Sequence, residues 1–394
     1  MRSFQYYIKT DVVFGAGEVA RVAELVKKHG GSRVLVVYGG GSARRSGLLE
    51  RVFGALDAAL IPYASIGGVQ PNPRVELARE GVRRAVEFSA DLILAVGGGS
   101  VIDTAKAIAH GTANPDVDIW EFWKHRAALE RSTPVGVILT IPAAGSETSD
   151  SAVLTNEAES EKRGLNTDLN RPAFAILDPE LARTLPQRQL SCGVTDIMMH
   201  TLDRYFTLAD DNELTDELAE ALLRVVIRNG PQVVRDAQDL HAMSEIMWCG
   251  SVSHNGLTGL GGIKEFTTHQ LGHALSEKFD AIHGESLSAM WGSWARYVCG
   301  VKPARFARYA RNVWGVDDED DDEAATLGIE ATENFFRAIH MPVSLGELPG
   351  VGVQSEAGLA ELADRCSFRK SRTIGNFRVL GYADMLEIYR LANH

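Results

Sequence analysis

Short runs of β-branched and apolar residues alternate with amphipathic segments in the first half of the chain. Runs at residues 33–38, 91–96 and 135–142 predict buried strands. Between the first two runs, apolar residues from Val75 to Val86 recur at helical spacing behind the turn Pro71-Asn-Pro73. Strands that alternate with helices predict an α/β domain built on a parallel sheet.

The second half of the chain follows a different pattern. Strand-like runs end after Thr184-Leu-Pro186, and long stretches rich in Leu, Ala, Met, Glu and Arg follow. These residues favour helix, so we predict an all-α C-terminal domain. The predicted domains are residues 1–185 and residues 186–394.

Composition excludes several classes of protein. Hydrophobic residues make up 45% of the chain and charged residues 23%, which is typical of a globular protein. The net charge of -12 disfavours nucleic acid and anionic membranes as partners and favours small molecules. The cysteines are far apart and form no CxxC pair, the N-terminus lacks a secretion signal, and no apolar run is long enough to span a membrane. We therefore expect a cytoplasmic protein.

The most biased segment is the acidic run at residues 317–323. Acidic residues favour helix N-termini, so the run predicts a solvated loop that leads into a helix. A cation site is the alternative interpretation.

Two glycine clusters each follow a predicted strand. Gly97, Gly98, Gly99 and Ser100 precede a predicted helix, where residues without side chains let a phosphate approach the backbone amides of the helix N-terminus. A tight turn without a ligand is the alternative. The second cluster, Gly39-Gly-Gly-Ser42, follows the first strand in the same way.

The second cluster also bears on the choice of dinucleotide. Enzymes that select NAD usually carry an acidic side chain near this strand end, where it binds the ribose hydroxyls. Positions 39–46 contain no carboxylate, and Arg44 and Arg45 lie close to Ser42 in the sequence. This pattern predicts a preference for NADPH. Alternatively, both arginines are solvated residues at a helix start.

Histidines cluster in the C-terminal half. Residues 254–283 contain four of the eleven histidines, and His269 and His273 lie one helical turn apart. Upstream, Asp196 and His200 repeat the same spacing. One carboxylate with several imidazoles forms a ligand set for a first-row divalent metal such as Fe²⁺ or Zn²⁺, rather than Mg²⁺ or Ca²⁺. A single Asp-x-x-x-His pair is more often part of a helix surface or of a hydrogen-bonded core than a pair of metal ligands, so the prediction rests on the combination.

The pair His269 and His273 invites comparison with the HExxH motif of metallopeptidases. Gln270 stands where that motif carries its general-base glutamate, and glutamine cannot accept a proton. The sequence therefore disfavours a peptidase.

Taken together, these motifs resemble the iron-containing (group III) alcohol dehydrogenases, and among them the NADPH-dependent butanol dehydrogenase and aldehyde reductase branch. The resemblance runs along nearly the whole chain. It rests on Val13-Phe-Gly15, Gly39-Gly-Gly-Ser42, Pro71-Asn-Pro73, Gly97-Gly-Gly-Ser-Val-Ile-Asp-Thr-Ala-Lys106, Pro142-Ala-Ala-Gly-Ser-Glu147, Asp178-Pro179, Asp196 with His200, and His269 through His283.

The resemblance implies a fold and a set of site residues. The implied fold is an N-terminal Rossmann-like domain followed by a helical domain. The implied metal ligands are Asp196, His200, His269 and His283, with His273 beside the metal but outside its shell. The predicted nucleotide contacts, from the glycine clusters and the resemblance together, are Gly39, Gly40, Gly41, Ser42, Gly97, Gly98, Gly99, Ser100, Asp103, Thr140, Ser149 and Lys162. Glu285 departs from the small or neutral residue of many relatives, and we expect this departure to affect the substrate pocket and not the metal.

The implied activity is hydride transfer between NADP(H) and an aldehyde or primary alcohol, assisted by one divalent metal, Fe²⁺ or Zn²⁺. His273 is the expected proton relay, and the expected assembly is a homodimer. Alternatives on the same fold are a glycerol-type polyol dehydrogenase and a non-redox lyase of the dehydroquinate synthase type. A nucleotide-binding protein without activity is a further alternative, but such a protein would not need the metal ligands.

Overall fold

The computed structural model describes residues 2–159 and 161–394. These residues form two compact units. The first unit is Tyr7–Leu185, and the second comprises Pro186–His394 together with residues 2–6. Residues 2–6 were expected in the first unit, but the Tyr6 ring packs close to Gly256 of the second.

The first unit is built on a six-stranded parallel sheet. Its strand order is β1-β8-β5-β4-β2-β3, and an antiparallel hairpin of β6 and β7 is added to it. The central strands are buried along almost their whole length, as expected for a parallel sheet covered on both faces. The strands are β1 (Asp11–Phe14), β2 (Val34–Gly39), β3 (Tyr63–Val69), β4 (Leu92–Gly97), β5 (Val135–Leu139), β6 (Ser151–Asn156), β7 (Glu161–Asn166) and β8 (Phe174–Leu177).

The predicted strands are confirmed as β2, β4 and β5, which are neighbours in the sheet. The sequence analysis missed β1, β3, β8 and the hairpin. β1 and β8 have only four residues each, β3 contains two glycines, and β7 is largely polar. Such segments lack the long apolar run that marks a buried strand.

The helices of the first unit pack closely on one another. An ideal Cβ on Gly81 would lie 2.2 Å from Ile108 Cδ1, so the glycine lets α4 approach α5. The helices are α1 (Val22–Lys28), α2 (Ser42–Arg45), α3 (Leu48–Ala58), α4 (Val75–Phe88), α5 (Gly99–Ala113) and α6 (Ile119–Trp123). Single turns of 3₁₀ helix occupy Glu18–Arg21, Asp168–Asn170 and Pro179–Ala182.

The second unit is helical throughout, which confirms the predicted all-α half. Its helices are α7 (Gln187–Tyr205), α8 (Glu213–Arg235), α9 (Leu240–His254), α10 (Thr267–Phe279), α11 (His283–Val298), α12 (Pro303–Tyr309), α13 (Asp321–Ala338), α14 (Glu356–Cys366) and α15 (Tyr382–Leu391). Short 3₁₀ or π turns occupy Leu257–Gly259, Cys299–Val301 and Ala310–Trp314. None of the helices in the described part of the chain has the length and apolar character needed to cross a membrane.

The acidic run leads into a helix, as predicted. The Asp320 side chain accepts hydrogen bonds from the backbone amides of Asp322 and Glu323, and α13 begins at the next residue. A carboxylate in this position satisfies amides that have no partner within the helix. The run is therefore a helix cap.

A buried lysine organises the segment that leads into β6. Lys106 Nζ donates to the carbonyl oxygens of Ser146 and Ser151 at 2.8 and 2.7 Å, and to Ser146 Oγ at 2.9 Å. Burial lowers the pKa of Lys106 to about 8, against the opposing effect of Asp103. The lysine therefore cross-links residues 146–151 to α5.

Replacing Lys106 by methionine should destabilise the protein, because the buried carbonyl oxygens would lose their donor. An unpartnered buried polar group costs about 1–3 kcal/mol, so we expect Lys106→Met to lower the free energy of unfolding by about 2–4 kcal/mol. Urea denaturation followed by circular dichroism measures this change. The control is Lys27→Met at an exposed position on α1. Equal unfolding midpoints for both variants would contradict the proposed cross-link.

Candidate metal and nucleotide sites

One face of α7 carries the acidic side of the candidate metal site. Asp196, His200 and Asp203 are spaced four and three residues apart, so their side chains lie on the same side of the helix. All three side chains are buried. Asp196 and His200 were predicted as site residues. Asp203 was missed, although it lies on the same helical face three residues after His200.

Three imidazoles approach one oxygen of this face. The Nε2 atoms of His200, His283 and His269 lie 3.4, 3.7 and 3.8 Å from Asp196 Oδ1. His269 belongs to α10 and His283 is the first residue of α11, so three helices contribute to the cluster. Ligand atoms of Asp196, His200 and His269 all lie within 4.8 Å of one another. The structure thus brings Asp196, His200 and His269 together, and His283 approaches this group through its contact with Asp196.

The spacing and the chemistry of these atoms suit a divalent cation. Neither Asp196 Oδ1 nor His269 Nε2 has a hydrogen-bond partner among the described residues, although both are buried. Ligand atoms placed tetrahedrally around Zn²⁺ lie about 3.4 Å apart, given metal-ligand distances of about 2.0–2.1 Å. The three distances from the imidazole nitrogen atoms to Asp196 Oδ1 are close to this value. The residues present therefore fit the metal that the family resemblance implies.

Asp203 fixes the orientation of His269. Asp203 Oδ2 forms a short hydrogen bond with Nδ1 of the His269 ring. Because an ionised carboxylate only accepts hydrogen bonds, Nδ1 carries the proton and Nε2 is left as the nitrogen that faces Asp196. Histidines that bind metals commonly make this contact with a carboxylate.

The charges around the cluster favour a cation. Burial disfavours the charged form of His269, but the Asp203 and Asp196 carboxylates outweigh burial and raise its pKa to about 9. Burial lowers the pKa of His200 well below its usual value, and the His254 and His269 imidazoles lower it further. His200 is thus a neutral nitrogen donor beside the carboxylate of Asp196.

Two further histidines border the cluster. The His273 ring centre lies 5.6 Å from that of His283, and His273 is half-buried. His254, which the sequence analysis counted but gave no role, stacks on His200 with ring centres 3.9 Å apart. His273 thus lies beside His283, on α10 one turn beyond His269.

Glu285 lies two residues after His283 and is buried. Its carboxylate pairs with the guanidinium of Arg188 on α7. The structure shows Glu285 in a contact between α11 and α7, and its expected effect on the substrate pocket stays a prediction.

The glycine clusters lie at one edge of the sheet in the first unit. Gly39 ends β2 and Gly97 ends β4, and these strands are parallel neighbours. Thr140 follows β5 and donates its amide to the Gly97 carbonyl oxygen at 3.1 Å. The carboxyl edge of a parallel sheet is the usual place for a nucleotide.

A cavity of about 400 Å³ adjoins the Gly39-Gly-Gly-Ser42 cluster. It is lined by Tyr38, Gly39, Gly40, Gly41, Arg44, Ile66, Gly67, Gly68, Leu77, Glu80 and Arg84. An ideal Cβ on Gly40 would meet no described atom within 4 Å, and its φ does not require glycine. The absence of a side chain at Gly40 therefore leaves space open beside the strand end.

The Gly97-Gly-Gly-Ser100 cluster begins a helix, as predicted. Gly98 precedes α5, and Gly99 and Ser100 form its first turn. An ideal Cβ on Gly98 would lie 2.9 Å from Ile141 Cδ1, so packing also requires this glycine. The amide groups of this first turn are placed as an anion site would need them.

The remaining predicted contacts have protein partners of their own. Asp103 accepts hydrogen bonds from Ser146 Oγ and from the Val153 amide, and burial raises its pKa. Ser149 Oγ bonds the Ser151 carbonyl oxygen. Lys162 Nζ donates to Asn72 Oδ1 at 2.9 Å, beside the end of β3. Asp103 and Ser149 shape the loop before β6, whereas Lys162 reaches the sheet edge.

Known proteins resemble the chain along its whole length. The family model "Iron-containing alcohol dehydrogenase" matches residues 9–179, and "Fe-containing alcohol dehydrogenase family, C-terminal" matches residues 191–393. NADH-dependent butanol dehydrogenase A of Clostridium acetobutylicum is 37% identical over 99% of both chains. NADPH-dependent aldehyde reductase YqhD of Escherichia coli is 33% identical, over 88% of this chain and 89% of the relative.

A solved structure shows the same fold. NADH-dependent butanol dehydrogenase A of Thermotoga maritima superposes with a TM-score of 0.95 at 32% identity, covering 100% of this chain and 99% of the other. The regions that match the family models include both glycine clusters and all the candidate metal ligands. The chain belongs to the iron-containing alcohol dehydrogenase family.

Proposed function

We propose that the protein is a metal-dependent, NADP(H)-linked alcohol dehydrogenase that reduces aldehydes to primary alcohols. The observation that carries the proposal is the convergence of three imidazole Nε2 atoms on Asp196 Oδ1 in a chain of this family. Relatives named butanol dehydrogenase and aldehyde reductase support the substrate class.

The proposed metal ligands are Asp196, His200, His269 and His283. Bound Fe²⁺ or Zn²⁺ would supply Lewis acidity toward a carbonyl oxygen, and a bound nicotinamide dinucleotide would supply the hydride. Asp203 holds the ring of His269 so that Nε2 faces the site. The stacked His254 ring restricts rotation of His200.

His273 is the proposed proton relay. It lies one helical turn beyond His269 on α10, and its ring faces His283. Because it is half-buried, its imidazole can exchange protons with water while it stays beside the cluster. A positioned general acid of this kind contributes about 10²- to 10⁴-fold in rate.

The proposed dinucleotide is NADP(H). Arg44 lines the cavity beside Gly40 and donates to the Tyr38 hydroxyl at 2.7 Å, so its guanidinium is held at the strand end. The cavity also contains Glu80, a carboxylate outside the segment that the sequence analysis considered. Glu80 pairs with Arg84 at 2.5 Å, which compensates its charge.

Replacing Asp203 by asparagine should weaken metal binding, because a neutral amide is a weaker acceptor than a carboxylate and its NH2 group can donate to Nδ1 instead, which favours the tautomer with the proton on Nε2. Loss of such a partner typically lowers metal affinity by about 10- to 100-fold. Titration against a chromophoric chelator measures the affinity. Asp384→Asn is the control, since Asp384 bonds Tyr297 and the Gly381 amide instead. Unchanged affinity in Asp203→Asn would remove the proposed role.

The two histidines of α10 should separate metal binding from proton transfer. We expect His273→Ala to lower kcat by about 10²- to 10⁴-fold while the variant keeps its metal. His269→Ala should lose the metal, as measured by elemental analysis of protein purified without oxygen. Equal metal loss in both variants would mean that the two roles are assigned the wrong way round.

The dinucleotide preference is measured directly by kinetics. With an aldehyde substrate, kcat/KM should be higher for NADPH than for NADH, and a higher value with NADH would contradict the proposal. Arg44→Ala should raise KM for NADPH by about tenfold, since a hydrogen bond to a charged group contributes about 1.5–3 kcal/mol. It should leave KM for NADH unchanged. Arg51→Ala, at an exposed position on α3, is the control.

A further inference from the structure

Two helices that carry proposed ligands meet backbone to backbone, where the first turn of α11 lies against the second turn of α7. An ideal Cβ on Gly284 would lie 2.6 Å from the Cys192 carbonyl oxygen and 2.8 Å from Cys192 Cα. Only glycine allows this approach of α11 to α7. The contact lies one residue after His283 in α11 and one helical turn before Asp196 in α7.

An ion pair joins the first turns of the same two helices. Arg188 Nε and Nη2 donate to the two carboxylate oxygens of Glu285 at 2.5 and 2.8 Å, which is the bidentate geometry of a strong guanidinium-carboxylate pair. The Glu285 side chain is 5% exposed, whereas that of Arg188 is 55% exposed. Glu285 also lies in the first turn of α11, where the helix dipole favours a carboxylate.

His283 has particular need of such a contact. It is the first residue of its helix, where helices fray. Its side chain is 30% exposed, against 8% or less for Asp196, His200 and His269. Arg188 and Asp196 lie eight residues apart on one side of α7, so the ion pair and the contact between His283 and Asp196 link the same two helices.

We propose that the Arg188–Glu285 ion pair is a clamp that positions His283 and slows release of the metal. Neither residue is a ligand or touches the reacting atoms. The pair holds the first turn of α11 on α7, so that the imidazole stays within reach of Asp196. The inference rests on the proposed metal site.

Metal release from the full-length protein tests the clamp. Wild type and Glu285→Gln are loaded with Zn²⁺ and mixed with excess EDTA, and the metal remaining on the protein is measured over time. We expect Glu285→Gln to release the metal at least about tenfold faster, at the lower end of the range seen when groups that orient metal ligands are removed. Arg188→Lys keeps the charge but loses the bidentate geometry, and it should show an intermediate rate.

The matched control is Glu333→Gln. Arg296 pairs with Glu333 through two bonds of 2.5 and 2.7 Å, and Arg296 lies on α11 at the end far from His283. This variant also removes a bidentate ion pair from the same helix. Its release rate should match that of wild type, even if its unfolding midpoint falls as much as that of Glu285→Gln.

The outcomes distinguish the clamp from the proposed function. A wild-type protein that binds no stoichiometric metal overturns both. Tight binding by wild type with unchanged release from Glu285→Gln and Arg188→Lys overturns the clamp alone. Equal acceleration in Glu285→Gln and Glu333→Gln also overturns it, because the effect would then be a general loss of stability. If Glu285→Gln does not fold, Arg188→Lys decides by the same comparison.

Discussion

The helical unit depends on one buried oxygen, Asp196 Oδ1, and on the nitrogen atoms that face it. Moving a carboxylate and several imidazoles out of water is costly unless each finds a partner of suitable charge. The hydrogen bond between Asp203 and His269 provides part of that compensation. A bound cation would provide the rest, and the cluster has the composition that such a site requires.

The long helix α7 carries this carboxylate and also contacts α10 and α11, the two helices that carry the other candidate ligands. Arg188, Cys192, Asp196, His200 and Asp203 follow one another at intervals of three or four residues along one side of α7. Arg188 and Cys192 contact the first turn of α11, and Asp203 contacts α10. A single helical face thus fixes both of the other helices that supply ligands. Substitutions of Arg188 or Asp203, near the two ends of this face, should therefore change metal binding at the proposed site, although neither residue is a proposed ligand.

Patterns within one segment could be read from the sequence, whereas contacts between segments could not. The central strands β2, β4 and β5 were predicted because each is a continuous β-branched or aliphatic run. The edge strands β1 and β3, the interior strand β8 and the hairpin were missed because they are short, polar or rich in glycine. In the site, Asp203 could have been found by extending the spacing of Asp196 and His200. The pairing of Arg188 with Glu285 spans 97 residues, and no periodicity indicates it.

The dinucleotide preference is likewise difficult to predict from one segment of the sequence, because residues from several segments line the cavity. A search of residues 39–46 for carboxylates cannot detect Glu80, which the fold brings to the cavity from α4. The cavity is lined by the guanidinium groups of Arg44 and Arg84 and by one carboxylate, so its charged side chains sum to about one positive charge, which is the sign that a phosphate requires. Exposed charges are screened by salt, so a balance of this size discriminates only modestly. Small changes around one strand end can therefore reverse the preference, in keeping with relatives of one family that are named for NADH and for NADPH.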